Sequence, residues 1–223
     1  MYSVIIRVKN EEQFIGHSIQ SCIDFLDNPE IIIINDNSKD KSLYISRLFI
    51  YNEDISDNIK KNFCNLKIIN IEDYTPGKAL NLGVKNATND DIVILSGHCV
   101  IKKFKKELIE SNLEKFGVLF GNQTPYYHGK RINKNYLWSN FVEEEVINMW
   151  SSMEKRYFFH NAASIFKKEI LINNPFDEKL AGKEDRYWAN RWINEIEGKI
   201  LYQPQFSVDH FYTVEGNTWK GIG

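Results

Sequence analysis

Four consecutive isoleucines, Ile31 to Ile34, run directly into the polar stretch Asn35-Asp36-Asn37-Ser38-Lys39-Asp40. A short, uninterrupted β-branched run reads as a strand buried on both faces, which is the mark of a parallel sheet. The polar cluster behind it reads as the turn at that strand's carboxyl end, where open α/β sheets bind ligands. A carboxylate among small polar residues there suits the hydrogen-bonding edge of a nucleobase or a ribose. A capped turn leading into a helix accounts for the same residues without a ligand.

The flanking sequence repeats the pattern. Ser3–Val8 reads as a first buried strand. Asn10-Glu11-Glu12 reads as a helix start, a polar cap with acids in the first turn, continued by Phe14, Ile15, Ile19, Cys22, Ile23 and Leu26. Strands are expected at Leu66–Ile71, Asp91–Leu95 and Val118–Phe120. Helices are expected at Ser42–Asn52, at Ala79–Ala87 behind Pro76-Gly77-Lys78, and at Phe104–Phe116, with a polar loop at Asn52–Asn62. This order predicts an α/β fold with a doubly wound, mostly parallel (mixed) sheet flanked by helices. Beyond it the pattern loosens. An aromatic-rich helix is expected over Asn140–Lys155, a strand at Ala162–Phe166 and a short helix at Ile170-Leu171. A helix over Asp185–Glu197 and a short strand at Ile200–Tyr202 complete the reading. No repeat or linker divides residues 1–223, so they read as a single domain.

Composition narrows the function classes. The chain has 223 residues, 43% hydrophobic and 13% aromatic, enough for a sizeable core. A net charge of −2 offers no electrostatic grip on nucleic acid. The basic clusters at Lys102–Lys106 and Lys130–Lys134 read as solvated faces. Cys22, Cys64 and Cys99 form an odd set without metal-ligand spacing, which fits a reducing compartment. No signal peptide or membrane-spanning window is read. A cytoplasmic location is expected, with peripheral contact at the inner face of the membrane.

Four polar sites follow apolar strands or turns: Arg7-Val8-Lys9-Asn10, Asn35–Ser38, Pro76-Gly77-Lys78 and Ser96-Gly97-His98-Cys99. Strand carboxyl ends of a parallel sheet share one edge, so these sites are expected to converge on one crevice. None is a glycine-rich phosphate loop.

Taken together, Ser3–Glu12, Ile31–Asp40, Pro76–Gly83 and Gly182-Lys183-Glu184-Asp185-Arg186-Tyr187-Trp188-Ala189 resemble a family 2 glycosyltransferase of GT-A fold, over nearly the whole chain and in the right order. The resemblance implies a nucleotide-binding half to about residue 120 and an acceptor-binding half after it. It implies a nucleotide-sugar donor and a glycan or lipid-linked acceptor in surface polysaccharide or glycoconjugate synthesis. Arg7, Lys9, Asn10, Asp36, Asn37, Lys78 and Ser96 would then meet the nucleotide. Asp36 would accept from a base N–H.

The family ends its fourth strand with Asp-x-Asp, which binds the ribose and a divalent metal. This chain has Ser96-Gly97-His98. Serine is a poor ligand for Mg2+, whereas histidine ligates transition ions, so Mn2+ would be tolerated better. Alternatively no metal binds and Lys or Arg neutralises the diphosphate, or His98 only hydrogen-bonds a phosphate. By the same resemblance His210 lies near the metal or diphosphate, which makes His98 and His210 the candidate metal pair.

In inverting family members a carboxylate at the position of Glu184-Asp185 is the general base. We read Asp185 as that base and Glu184 as its neighbour. Helix N-terminal acids favoured by the dipole are the structural alternative. Gln123, Asn161 and Trp188 are candidates for sugar or acceptor contact, with core packing as the alternative for Trp188. His160 reads as structural. Apolar residues across Phe141–Phe159 read as a helix packed on the sheet, or as facing an acceptor groove. Gly216–Gly223 would be a mobile closing segment in the family, and further C-terminal sequence is expected. Two rivals stand against glycosyl transfer: a catalytically inactive sugar- or nucleotide-binding protein of the same fold, and a nucleotidylyltransferase. The second lacks its glycine-rich basic loop at Arg7–Glu11.

Overall fold

The alternation at the start of the chain is realised as β1 (Tyr2–Val8), α1 (Ile15–Phe25), β2 (Glu30–Asn35), α2 (Ser42–Arg47), β3 (Asn65–Asn70), α3 (Pro76–Asn86) and β4 (Asp91–Ser96). Next come β5 (Cys99–Phe104), α4 (Lys106–Phe116) and β6 (Val118–Tyr127), then four two-residue strands, β7 (Lys130–Arg131), β8 (Val146–Ile147), β9 (Trp150–Ser151) and β10 (Arg156–Tyr157). β11 (Ala163–Lys167), α5 (Lys168–Asn173), α6 (Glu184–Asn194) and β12 (Leu201–Phe211) follow. This computed structural model describes residues 1–50 and 63–212. The expected loop at Asn52–Asn62 and the closing segment at Gly216–Gly223 lie outside the described residues; the helix expected over Ser42–Asn52 ends at Arg47.

The main path of the large sheet runs β3-β2-β1-β4-β11-β6-β12-β5. β3, β2, β1 and β4 are parallel; β11 runs antiparallel to both β4 and β6. β12 is parallel to β6 and antiparallel to β5. The isoleucine run shows why both faces must be covered. Ile31 and Ile33 pack with Ile15, Ile19 and Cys22 of α1. Ile32 and Ile34 pack with Ala79, Leu80 and Val84 of α3 and with Trp188 of α6. Successive side chains point to opposite faces, so one apolar run feeds two cores. Gly83 lets α3 close on β1: a Cβ there would stand 2.5 Å from Ile5 Cγ2.

Four expectations are corrected. No helix spans Asn140–Lys155; a 3-10 turn at Tyr136–Asn140 leads to β8 and β9. Val146, Met149, Trp150 and Met153 have helical spacing, yet Trp150 and Met153 are 55% and 54% exposed. Pairing decides the conformation, with Ile147 opposite Leu201 and Trp150 opposite Tyr157. α1 starts at Ile15, with Phe14 as its N-cap; Asn10 itself adopts a left-handed φ of 55°, a conformation that asparagine tolerates and a helix does not. The strand expected at Ile200–Tyr202 is the start of the eleven-residue β12. β5 was not expected at all.

Candidate active site

The register brings the polar strand ends together. Val8 lies opposite Asn35, Asn35 opposite Asn70, and Arg7 opposite Ser96. The reversed strands deliver their leading residues to the same edge. Ala162 precedes β11, and its carbonyl accepts from the Ser96 N–H at 3.0 Å. β5 begins opposite the end of β12, with Cys99 facing His210.

The first two of these loops are laced side chain to backbone. The Asn10 N–H donates to Ser38 Oγ (3.1 Å), Glu11 N–H to Ser42 Oγ (2.7 Å) and Glu12 N–H to Asp40 Oδ2 (2.9 Å). In return Lys39 N–H donates to Asn10 Oδ1 and Lys41 N–H to Glu12 Oε2. Lys9 Nζ stands 2.8 Å from Asp36 Oδ2 across the gap. The Asn35–Ser42 stretch therefore satisfies the backbone of the neighbouring loop and holds it rigid.

The acid pair opens α6. Glu184 is buried; its Oε1 accepts from Arg7 Nη1 at 2.9 Å and from Asn161 Nδ2 at 3.1 Å. Burial opposes its ionisation, but the Arg7 charge and the bonds from Asn161 and Arg7 prevail, so its carboxyl sits below the ordinary range. Asp185 accepts from the Arg186 N–H at 2.8 Å and sits 3.5 Å from the Asn161 N–H. Burial and the adjacent Glu184 charge push its carboxyl up to about 6, against the opposing charges of Arg156 and Arg186. Two neighbouring carboxyls thus have opposite shifts, the pattern that separates a fixed anion from a group able to take a proton near neutrality. Lys183, just before them, has a left-handed φ of 64°, strain of the kind held at functional sites.

Behind the acids lie three histidines. His98 Nδ1 is 2.8 Å from Glu11 Oε1, and its ring centroid is 4.9 Å from that of His210. Gly97 permits this, since a Cβ would stand 3.2 Å from both the Arg7 carbonyl and Glu11 Cγ. His210 is 1% exposed, and its Nε2 is buried without a hydrogen-bond partner among the described residues. Burial, with His98 and His160 nearby, lowers its pKa well below the ordinary value. His160 is pushed down to about 3, by burial first and then by Arg156. His160 and His210 are therefore neutral at physiological pH. Among the described residues, no group of three or more His, Cys, Asp or Glu side chains gathers to hold a metal. What the edge offers is a pair of imidazoles, one with an unpartnered nitrogen. Two imidazoles without a carboxylate fit neither Mg2+ nor Mn2+, both of which favour oxygen ligands.

The other candidates are placed as follows. Arg7 is drawn to Glu184. Lys78 stands at the head of α3, with Nζ on the Glu72 carbonyl at 2.9 Å. Asn37 is exposed with a left-handed φ, and Ser96 is half-buried at the end of β4. Trp188 is 2% exposed, packed among Phe159, Phe166 and Phe176, with its indole N–H on the Asn174 carbonyl. Gln123 is 0% exposed, between His160 and His210, so it contacts no acceptor. Asn161 is buried and committed to the acid pair. Sequence reasoning missed Glu11 as the partner of His98, and it missed Glu154, Arg156 and Arg186. The last three form an ion cluster beside Asp185, with Glu154 to Arg156 at 2.7 Å and to Arg186 at 3.2 Å. A helix-start acid and a short basic motif carry no local sign of such partners.

Known proteins share this architecture. The chain is 26% identical over 94% of its length to the minor teichoic acid biosynthesis protein GgaA of Bacillus subtilis, covering 48% of that protein. It is 26% identical over 90% of its length to the GalNAc(5)-diNAcBac-PP-undecaprenol beta-1,3-glucosyltransferase of Campylobacter jejuni, covering 61% of it. The chain thus spans about half to three fifths of the length of these relatives. In structure it matches S. aureus TarS residues 1–349 in complex with UDP-GlcNAc at a TM-score of 0.70 and 18% identity, over 100% of this chain and 61% of that one. It matches GalNAc-T7 with UDP, GalNAc and Mn2+ at 0.68 and 17%, over 97% and 44%. These likenesses carry the GT-A fold. The model for glycosyl transferase family 2 matches residues 3–173, and the chain belongs to that family.

Proposed function

We propose that the chain transfers a sugar from a nucleotide-sugar donor to a hydroxyl of a glycan or lipid-linked acceptor, inverting the anomeric centre. The observation that carries this reading is Asp185, a carboxyl held at the strand-end crevice beside an ionised Glu184 that is itself fixed by Arg7 and Asn161. Asp185 takes the proton of the acceptor hydroxyl. The hydroxyl oxygen forms its bond to the anomeric carbon as the bond from that carbon to the diphosphate oxygen breaks, and the nucleoside diphosphate departs with the electron pair. Glu184 remains ionised and orients the site. Asp36 and the laced loops after β1 and β2 form the base and ribose side.

A divalent ion would offset negative charge on the leaving diphosphate, but His98 and His210 alone do not make a site for one among the described residues, so no step is routed through a metal. The donors named with the solved relatives favour testing uridine nucleotides first. An acceptor of the kind named for the Campylobacter relative supports surface-glycan synthesis at the inner membrane face. No helix among the described residues is long and apolar enough to cross a membrane.

The test is a panel of UDP-, GDP-, dTDP- and CMP-sugars, assayed for hydrolysis and transfer by wild type and Asp185→Asn. Wild type is expected to turn over at least one donor. Asp185→Asn is expected to lose turnover by at least about 10²-fold while binding the donor normally. Donor binding by wild type without any turnover would establish an inactive binding protein instead. Turnover retained by Asp185→Asn removes Asp185 from the role.

A further inference from the structure

Beside Asp185, three charged side chains close on one another. Glu154 lies in the turn between β9 and β10, and its carboxylate bridges two guanidiniums. Its Oε2 accepts from Arg156 Nη2 at 2.7 Å, and its Oε1 stands 3.2 Å from Arg186 Nη2. The Glu154 side chain is 4% exposed. Arg156 is fixed on its own strand as well: Nη1 donates to the Tyr157 carbonyl at 2.9 Å, and the guanidinium carbon lies 5.6 Å from the centre of the Phe158 ring. Arg186 follows Asp185 directly, and its backbone N–H donates to Asp185 Oδ1 at 2.8 Å. The bridge therefore ties the hairpin to the residues that carry the base.

Packing alone does not require such a bridge. A ladder of two residues a side, Ser151 opposite Arg156 and Trp150 opposite Tyr157, is too short to stand by itself. It packs against α6, and an apolar contact would hold it there without desolvating three charges. What the charges add is a field at Asp185. Glu184, itself tied to Arg7, and Arg186 face this carboxyl from its own helix. Arg156 faces it from β10, with Glu154 behind, and Asn161 with the neutral His160 faces it from the stretch before β11. With Asp185 ionised, the cations Arg7, Arg156 and Arg186 balance the anions Glu184, Glu154 and Asp185. Deleting one member leaves a buried charge uncompensated.

We propose that Glu154 and Arg156 are positioning residues for the base: Glu154 clamps Arg156 and Arg186 together, and the two guanidiniums hold Asp185 as the carboxylate that receives the acceptor proton. The inference rests on the glycosyl-transfer reading and deepens it. It gives the β9–β10 hairpin a part in the reaction, although none of its residues need touch a reacting atom. Burial and Glu184 push Asp185 towards its protonated form, and the guanidinium pair opposes them. Without the pair, Asp185 would be protonated over more of the neutral range, and transfer would be lost there.

The test is a pair of substitutions with opposite expected signs. Glu154→Gln keeps the shape and an acceptor oxygen but removes a negative charge, so the acidic limb of the pH–kcat/KM profile should move to lower pH. Arg156→Gln removes a positive charge, so the limb should move to higher pH, each by about one pH unit. Arg156→Lys keeps the charge without the fork, so its limb should stay near that of wild type while kcat falls about 10- to 100-fold and the donor KM holds. A merely structural hairpin would lower activity in all three without moving the limb in opposite directions. The Asp185 side-chain carboxyl, followed by 13C resonance against pH and assigned with Asp185→Asn, should titrate with the same two opposite displacements and needs no turnover. Should Arg156→Gln fail to fold, the direction of displacement in Glu154→Gln decides alone. An Asp185 titration unmoved in folded Glu154→Gln, or moved upward, overturns the inference even if transfer is observed. The expected displacements without turnover of any donor would overturn only the glycosyl-transfer reading.

Discussion

Glu184 and Asp185 are neighbours in one helical turn, yet their surroundings give them different chemistry. Arg7 and Asn161 hold Glu184 as an anion, and burial, joined by that anion, raises Asp185 to about 6. A base works only when unprotonated, so transfer should rise with pH through about 6 and fall away below it. Glu184→Gln removes the neighbouring negative charge, so the acidic limb of the rate profile should move to lower pH even as overall activity drops. A pH–kcat/KM profile for both proteins checks this, and an unmoved limb would detach the titration from Asp185. At this scale the acid pair was legible in the motif Gly182–Ala189. Its partner Arg7 was not, because 177 residues separate it from Glu184, and no local pattern reports a contact across that distance. Gln123 and Trp188 were misplaced for a related reason. A glutamine after a strand and a tryptophan on a helix look alike whether they face a ligand or a core, and only burial separates the two.

Between the first two loops, hydrogen bonds do the work that the composition of Asn35–Ser42 suggested for a ligand. Ser42 is fully buried; its hydroxyl accepts from the Glu11 N–H and donates to Asp40. Ser42→Ala leaves that buried N–H without its acceptor, which should cost about 1–3 kcal/mol in denaturant unfolding. It should also loosen Glu11 and hence His98, which Glu11 holds at 2.8 Å. Loss of stability below about 0.5 kcal/mol would show that water replaces the hydroxyl freely. The four parallel strands were legible because each is a compact apolar run. β12 was mostly hidden: it alternates buried and half-buried residues, contains Pro204, and shifts register against β6 between Gln203 and Ser207. A proline at an irregularity is compatible with a strand, but in sequence it argues against one. The apolar residues around Trp150 kept helical spacing while pairing as short strands, where spacing alone misleads.

Across the whole molecule, parallel strands contribute their carboxyl ends and reversed strands their leading ends, so residues as distant as Arg7 and His210 share one edge. That the crevice lies at this edge was legible from topology rules. Which late residues reach it was not, because the strand order of the second half follows from pairings that no local sequence specifies. The same order has a temporal consequence. β11 sits between β4 and β6, and β12 between β6 and β5, so each is a later segment inserted between strands made earlier. A growing or refolding chain can complete β1, β2 and β3 side by side, but β4 and β6 hold open edges until β11 arrives, and β5 and β6 until β12 does. Such non-local pairing is slow, and open edges recruit other chains. Pulse-labelled hydrogen exchange during refolding should therefore protect β1–β3 well before β5, β6 and β12, and simultaneous protection would contradict this order. The interval between those two events is when the chain is most exposed to aggregation, and it ends with the arrival of the strand that carries His210.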